Sequence, residues 1–388
     1  MYKIQTLNKI SAIGLENFDK SKYTYSDDVQ NPDAILVRSA AMHDMQFGDA
    51  LKAIARAGAG VNNIPLDRCS EEGIVVFNTP GANANAVKEL VITGLLLSSR
   101  KIVDGINWAK TLEGKADAAK LVEKGKSQFV GPEILGKKLG VIGLGAIGVL
   151  VANACIDLGM EVYGYDPYIS VDAAWGLSSH VHHSISLKDI FEKCDYITVH
   201  VPLTPETKGL INKQSISSMK VGVRILNFAR GDLVDNDDIK EAVASGAVSC
   251  YVTDFPSADL IGVDGIIAVP HLGASTPESE DNCANMAAKE LIDFLENGNI
   301  VNSVNLPACS MARSTEVRVC VIHRNIPNML SVISSAFAAQ NINIENMLNK
   351  SRSDYAYTIV DVCGACPDDL DEKLCEIDGI LRVRVISK

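Results

Sequence analysis

Three observations in the 388-residue sequence predict an α/β protein built on parallel sheets, with a smaller unit at its C-terminal end. Short apolar segments alternate with helical patterns as far as about residue 310, one of these segments runs into a glycine-rich turn, and residues 317–386 follow a strand and helix order of their own. The alternating segments are AILVRS (34–39), GIVVFN (73–78), LGVIGLG (139–145), EVYGYD (161–166), DYITVHVP (195–202), VRILNFARG (223–231), SCYVTDF (249–255) and GIIAVPHLG (265–273). Apolar runs of this length separated by helical stretches read as parallel strands covered by helices on both faces. Longer helical patterns at 84–110 and 276–298 bracket the glycine-rich block. The arrangement predicts one domain inserted into another, with the chain returning to the first and leaving a cleft between them.

The inserted block opens with GKKLGVIGLGAIGVLVANACIDLGMEVYGYD (136–166). A strand at 139–142 leads into Gly143, which permits a tight turn; Gly145 lets backbone amides approach a pyrophosphate; Gly148 lets the following helix pack on the sheet. Apolar residues at Ile147, Val151, Ala154, Cys155 and Leu158 give that helix its buried face, and a second strand ends at Asp166. An acid at this spacing binds the adenosine ribose and repels a 2′-phosphate, and no Arg follows it closely, so NAD is favoured over NADP.

Beyond this block, three strand ends carry polar groups, the place where open α/β sheets bind ligands. NFARGDLVD (227–235) presents Arg230, SCYVTDFPSAD (249–259) presents Asp254 and Asp259, and IIAVPHLGAST (266–276) presents His271. This set suits oxidation of a 2-hydroxy acid. A histidine titrates near neutral pH and can take the hydroxyl proton. An arginine fork binds the carboxylate in two places, and Asp259 is the expected orienting partner of His271.

After VNSVNLP (301–307), the tail reads as strand 317–323, helix 327–340, strand 342–349, strand 355–363, helix 368–377 and strand 379–386. This is the βαββαβ order of a ferredoxin-like unit, and it suggests a binding or regulatory module.

Composition narrows the classes. A formal net charge of −12 argues against nucleic acid or an anionic membrane as a partner. The 47% hydrophobic content is ample for two or three cores. The ten cysteines are scattered, several within apolar strands or helices, as reduced thiols of a cytosolic protein would be. Cys363 and Cys366 form a CxxC, but no second pair gives metal-site spacing. The start, MYKIQTLNKI, lacks the apolar run of a signal peptide, and no stretch approaches a membrane span, so a cytoplasmic location is expected.

The succession GLGAIG, HVPLTPET (200–207), NFARGDLVD, YVTDFP and PHLGAST resembles the D-2-hydroxyacid dehydrogenase family along the whole chain. The resemblance implies a Rossmann-type NAD-binding domain at 101–273, inserted in a flavodoxin-like substrate-binding domain formed by 1–100 and 274–307. It implies catalytic roles for Arg230, His271 and an acidic partner; the family usually has Glu where Asp259 stands. On the cofactor it places Gly143, Gly145, Ala146, Ile147, Gly148, Asp166, His200, Val201, Pro202, Thr207, Ala229, Asp254 and Gly273, with Asp254 against the nicotinamide carboxamide. Within the family, VRSA (37–40) and ARAGAGVNNI (55–64) look like the segments of members that act on 3-phosphoglycerate. Substrate contacts then fall to Arg38, Ser39, Arg56, Gly60, Val61 and Asn83, while Lys88 departs from a more usual small residue.

The tail, 316–388, resembles an ACT domain, a small-molecule-binding module. The resemblance implies L-serine as effector at His323, Asn325 and Asn343, although the family's Pro-Gly turn is here Pro327–Asn328. A homodimer or homotetramer is expected. Two alternatives stay open: a family member acting on glyoxylate, hydroxypyruvate or D-lactate, and a non-catalytic NAD-sensing protein.

Overall fold

The computed structural model describes residues 1–387 apart from 365 and 368. The chain forms two compact units, Met1–Asn83 with Pro277–Lys388, and Ala84–Thr276.

In the first unit, Tyr2–Leu7, Tyr23–Ser26, Ala34–Val37, Ala53–Arg56 and Val75–Phe77 form a parallel sheet in the order second, first, third, fourth, fifth. This is the flavodoxin-like order, with its switch point between the first and third strands. Three of these strands, Tyr2–Leu7, Tyr23–Ser26 and Ala53–Arg56, are absent from the apolar runs read in the sequence. They are short, and YKIQTL mixes lysine, glutamine and threonine into its pleat. The helix Pro277–Asn297 covers one face, burying Ala284, Ala287, Leu291 and Phe294 against Ile4, Leu36, Ala55 and Phe77. Pro277 has no amide hydrogen to leave unsatisfied, which suits the first helical position.

The tail strands Val317–Arg324, Asn343–Arg352, Tyr355–Cys363 and Ile380–Ser387 form an antiparallel sheet in the order second, third, first, fourth. With helices Met329–Ala339 and Leu370–Cys375 this is the ferredoxin-like arrangement. The expected helix 368–377 shortens to Leu370–Cys375; position 368 lies outside the described residues, as does 388 at the end of the expected tail. One face of this sheet buries Val319, Val321, Ile333, Phe337 and Leu374. The other face, with Cys320, Ile322, Tyr357 and Ile359, shares a core with Ile4, Leu36 and Phe294 of the first sheet. The tail therefore packs as part of the first unit.

The second unit holds a seven-stranded parallel sheet built from Lys138–Ile142, Glu161–Tyr165, His182–His183, Tyr196–Val199, Val223–Asn227, Val248–Thr253 and Ile266–Ala268. Its order is third, second, first, fourth, fifth, sixth, seventh, the doubly wound dinucleotide-binding order. The helical stretch expected at 84–110 is two helices, Ala84–Arg100 and Ile102–Lys110, separated where Lys101 adopts φ 47°. Val87, Val91 and Leu95 pack with Leu139, Val141, Leu226 and Val252, so the first of these helices belongs to the second unit. The units accordingly divide at 83/84 and 276/277, not at 100/101 and 273/274. No helix among the described residues is long and apolar enough to cross a membrane, and no group of three or more described His, Cys, Asp or Glu residues could hold a metal ion.

Candidate active site

The switch point of the seven-stranded sheet lies between Lys138–Ile142 and Tyr196–Val199, so the glycine turn and His200 emerge side by side. Gly143 sits at φ 94°, and a Cβ there would stand 2.6 Å from the His200 carbonyl oxygen. Gly148 is equally constrained, because a Cβ would fall on the Gly143 carbonyl oxygen. Gly145 differs: it precedes the helix Ala146–Asp157, and a Cβ there would meet no atom within 4 Å. Two of the three glycines close the turn on itself, and the third leaves the helix N-terminus open for an anion.

Asp166 is held rigidly at the end of the second strand. Its Oδ2 accepts from the Leu144 amide at 2.8 Å and its Oδ1 from the Tyr168 amide at 2.8 Å. Beside the turn, His200 Nε2 lies 2.9 Å from Thr198 Oγ1, whereas its buried Nδ1 has no partner among the described residues. Burial pushes this imidazole down to about 4, so it is neutral at pH 7. Thr207 Oγ1 donates to the Pro202 carbonyl at 2.6 Å and ties off the loop that follows Val201. The open face at Gly145, the unpaired Nδ1 and the fixed carboxylate of Asp166 fit a dinucleotide, and His200, Val201, Pro202 and Thr207 border the same turn.

At the neighbouring strand ends, Asn227 is fully buried and shapes the next loop. Its Nδ2 donates to the Arg230 carbonyl at 2.8 Å and its Oδ1 accepts from the Ala229 amide at 3.2 Å. The Arg230 side chain is left exposed, with Nη1 donating to the Ala229 carbonyl at 2.6 Å. Asp254 is 1% exposed; Oδ2 accepts from the Gly273 amide at 3.2 Å, and Oδ1 has no partner among the described residues. Burial pushes this carboxyl up from the usual carboxylate range, opposed by the charges of His271 and Arg230, so both groups lie within electrostatic reach of Asp254. Phe255 connects them physically. Its ring meets the His271 ring edge-on at 4.8 Å and 63°, and its Cβ lies 3.4 Å from where a Cβ on Gly231 would stand. Asn227 and Phe255 were not singled out in the sequence. The signal for the first was a lone amide closing an apolar strand, and for the second its place between Asp254 and the proline.

The expected partnership of Asp259 with His271 is not what the structure shows. Asp259 lies 3.2 Å from Lys240 Nζ, accepts from Asn236 Nδ2 at 3.5 Å, and is held below the usual carboxylate range by its hydrogen bonds to Ser257 and Lys240. Aspartate is one methylene shorter than the family's glutamate, and two cation and amide donors of the helix Asn236–Ser245 occupy it. The carboxylate near His271 is Asp254.

In the first unit, Asn8 stands at the sheet's own switch point, and its Oδ1 accepts from the amides of Ser39 at 2.9 Å and Ala40 at 2.7 Å. Arg38 leaves the adjacent strand and pairs with Glu280 at 2.6 Å, both exposed. Arg56 Nε donates to the Arg38 carbonyl at 2.9 Å. Gly58, at φ 148°, curves the following loop over the Arg56 guanidinium, where a Cβ would clash. Gly60, Val61 and Asn83 are half-buried. Arg38, Ser39 and Arg56 are thus neighbours, though Arg38 has an acidic partner that the sequence did not indicate.

In the tail, both nitrogens of His323 are engaged within the sheet, Nε2 with Thr358 Oγ1 at 2.9 Å and Nδ1 with the Arg324 carbonyl at 2.8 Å. At 2% exposure it is a structural histidine, which corrects its expected role as an effector ligand. Asn325 donates to the Ser353 carbonyl at 3.0 Å and Asn343 is exposed. Asn328 adopts φ 70°, the left-handed geometry that the family's glycine would take.

Residues 93–273 match the family model for D-isomer specific 2-hydroxyacid dehydrogenase, NAD binding domain. D-3-phosphoglycerate dehydrogenase of Bacillus subtilis (strain 168) is 33% identical over 336 residues, 82% of this chain and 62% of the relative. The Homo sapiens enzyme of that name is 34% identical over 315 residues, 78% and 56% respectively. That of Archaeoglobus fulgidus is 37% identical over 291 residues, 72% and 53%. The chain thus spans less than two thirds of these relatives' length. A solved structure of NAD+-bound 3-phosphoglycerate dehydrogenase in Entamoeba histolytica superposes with a TM-score of 0.60 at 27% identity, covering 78% of this chain and 98% of that one. Rhodotorula graminis D-mandelate dehydrogenase shares the fold at a TM-score of 0.66 and 21% identity, covering 80% and 99%. Residues 93–273 are an NAD-binding domain of the D-isomer specific 2-hydroxyacid dehydrogenase type, and the chain is homologous to D-3-phosphoglycerate dehydrogenases.

Proposed function

We propose that the protein oxidises 3-phospho-D-glycerate to 3-phosphooxypyruvate with NAD, the first step of L-serine biosynthesis. The observation that carries this reading is the grouping of His271 and Arg230 around buried Asp254 at the ends of neighbouring parallel strands of the sheet that also carries the glycine turn. NAD, when bound, accepts the hydride from C2 of the substrate. His271 takes the C2 hydroxyl proton, and Phe255 packed on its ring limits the imidazole's orientations. Arg230, aimed outward by the Asn227 hydrogen bonds, holds the substrate carboxylate through two donors. Asp254 lies within electrostatic reach of His271, and its unpaired Oδ1 suits the amide donor of a nicotinamide. Phosphate recognition is assigned to Arg56 and Arg38, with Ser39, Gly60, Val61 and Asn83 completing the substrate contacts.

The same reading makes the protein a cytoplasmic homo-oligomer. All ten cysteines are unpaired and seven are buried, as suits a reducing compartment. The exposed Ile102, Ile106, Val122 and Val130 supply apolar surface for a second copy. The tail is assigned weak L-serine binding through Asn325 and Asn343. A panel of 2-hydroxy acids tests the proposal through NADH formation: 3-phosphoglycerate should give the highest kcat/KM, and Arg56→Ala should erase the preference over unphosphorylated acids. No NADH from any acid would favour the non-catalytic alternative, and a preference for D-lactate would reassign the substrate.

A further inference from the structure

The first unit contains a cleft, lined by polar and apolar groups, that none of these assignments uses. It has a volume of about 570 Å³ and runs along the helix Pro277–Asn297, whose Asn282, Met286, Lys289 and Glu290 share one stripe, facing Gly81 and Asn302. None of Arg38, Ser39, Arg56, Gly60, Val61 or Asn83 lines it, and the tail residues Asn325 and Asn343 are also outside it.

Glu290 is the unusual member. It is 8% exposed, and its Oε1 accepts from Asn302 Nδ2 at 2.7 Å, while its buried Oε2 has no partner among the described residues. An unsatisfied buried polar oxygen costs on the order of 1–3 kcal/mol, and a glutamate kept there for structure alone would be replaced at no loss by an apolar residue. One residue earlier, Lys289 projects from the same cleft with its ammonium exposed and no acidic partner among the described residues. The other acid lining the cleft, Asp293, is already occupied, its Oδ1 accepting from Asn297 Nδ2 at 2.8 Å and Asn299 Nδ2 at 3.1 Å.

A simple anion in this cleft would meet Glu290, and a simple cation would meet Lys289. A small zwitterion answers both. We propose that the cleft binds a free α-amino acid, its ammonium on Glu290 and its carboxylate on Lys289 and Asn282, with Met286 against a short side chain. The terminal torsion of a glutamate is soft, so Oε2 reaches the cleft by rotation of the carboxylate alone. This site does not depend on the dehydrogenase reading, since it lies wholly within the first unit and uses none of the residues assigned to the reaction.

Calorimetric titration of the full chain with glycine, L-alanine and L-serine tests the proposal, with ethylammonium and acetate as half-ligands. At least one of the amino acids should bind saturably in the millimolar range or tighter, and each half-ligand at least about tenfold more weakly. Glu290→Gln, which keeps the shape and removes the carboxyl that a bound ammonium would hold ionised against burial, and Lys289→Met, an exposed change that leaves the core intact, should each weaken binding at least about tenfold. Absence of saturable binding, binding unaltered in either variant, or a half-ligand binding as tightly as the amino acid would overturn it. A Glu290→Gln protein that fails to fold leaves Lys289→Met to decide.

Discussion

The polar residues of the nucleotide-binding unit and those of the tail are used in opposite ways. In the unit 84–276, the residues that motifs single out keep spare capacity: His200 Nδ1 and Asp254 Oδ1 have no partner among the described residues, and the Arg230 guanidinium is exposed. In the tail, the buried polar residues are consumed. His323 spends both nitrogens on the sheet, and the fully buried Arg318 is paired with Asp361 at 2.6 and 3.0 Å while also donating to the Asn297 and Met311 carbonyls. Buried groups that satisfy one another rigidify a fold, and buried groups left unsatisfied mark where a ligand is awaited. The family model covers the first region, at 93–273, and it is there that the residues indicated by the motifs keep open hydrogen-bonding positions.

The contrast can be broken first at His271. His271→Ala should lower turnover by about 10²–10⁴ with little change in NAD affinity, since only a proton-transfer group is lost. Steady-state kinetics alongside cofactor titration would show it, and near-normal turnover would remove His271 from the mechanism. In the tail the largest effect should be on folding. Arg318→Met strands Asp361 among buried neighbours and should cost about 3–5 kcal/mol, measured by denaturant unfolding, because breaking one half of a buried pair leaves an uncompensated charge. A change below about 1 kcal/mol would mean that the pair is solvated.

Asp166→Ala sharpens the cofactor side. Loss of the carboxylate should narrow the preference for NAD over NADP, as repulsion of a 2′-phosphate disappears; an unchanged ratio of kcat/KM values would assign selectivity elsewhere. A smaller effect is expected on stability against pH. Burial pushes Glu290 up to about 8 from an ordinary 4.5. A carboxyl raised in the fold stabilises it fully below pH 4.5, and that contribution is lost as pH rises through 8. Unfolding curves of Glu290→Gln should therefore decline less than those of the parent over this window, and parallel curves would show that the group titrates normally.

Much of this was legible in the sequence. Strand, glycine turn, helix and acid at 139–166 identify the dinucleotide fold because Gly143 and Gly148 answer backbone constraints and Gly145 leaves the helix N-terminus open, at a spacing the sequence displays. The βαββαβ tail was legible from its alternation of periods. Which side chains meet was harder to read. Asp259 has the right separation from Asp254 along the chain, yet Lys240, on the preceding helix, claims it. Likewise, nothing in VIHRN signals that His323 points into its own sheet at Thr358, a partner 35 residues away. The short strand Ala53–Arg56 escaped notice because four residues carry too little periodicity, and its place was fixed by pairing with both neighbours.

The central claim is that His271 works with Asp254 and not with Asp259, and paired neutral substitutions measure it most directly. In NAD-dependent oxidation of 3-phosphoglycerate, Asp254→Asn should lower kcat/KM by at least about tenfold, the equivalent of about 1.4 kcal/mol of transition-state stabilisation. Asp259→Asn, which removes only an exposed pairing with Lys240, should stay within about threefold of the parent. The reverse order, with Asp259→Asn the more damaging, would contradict the account and return Asp259 to the side of His271.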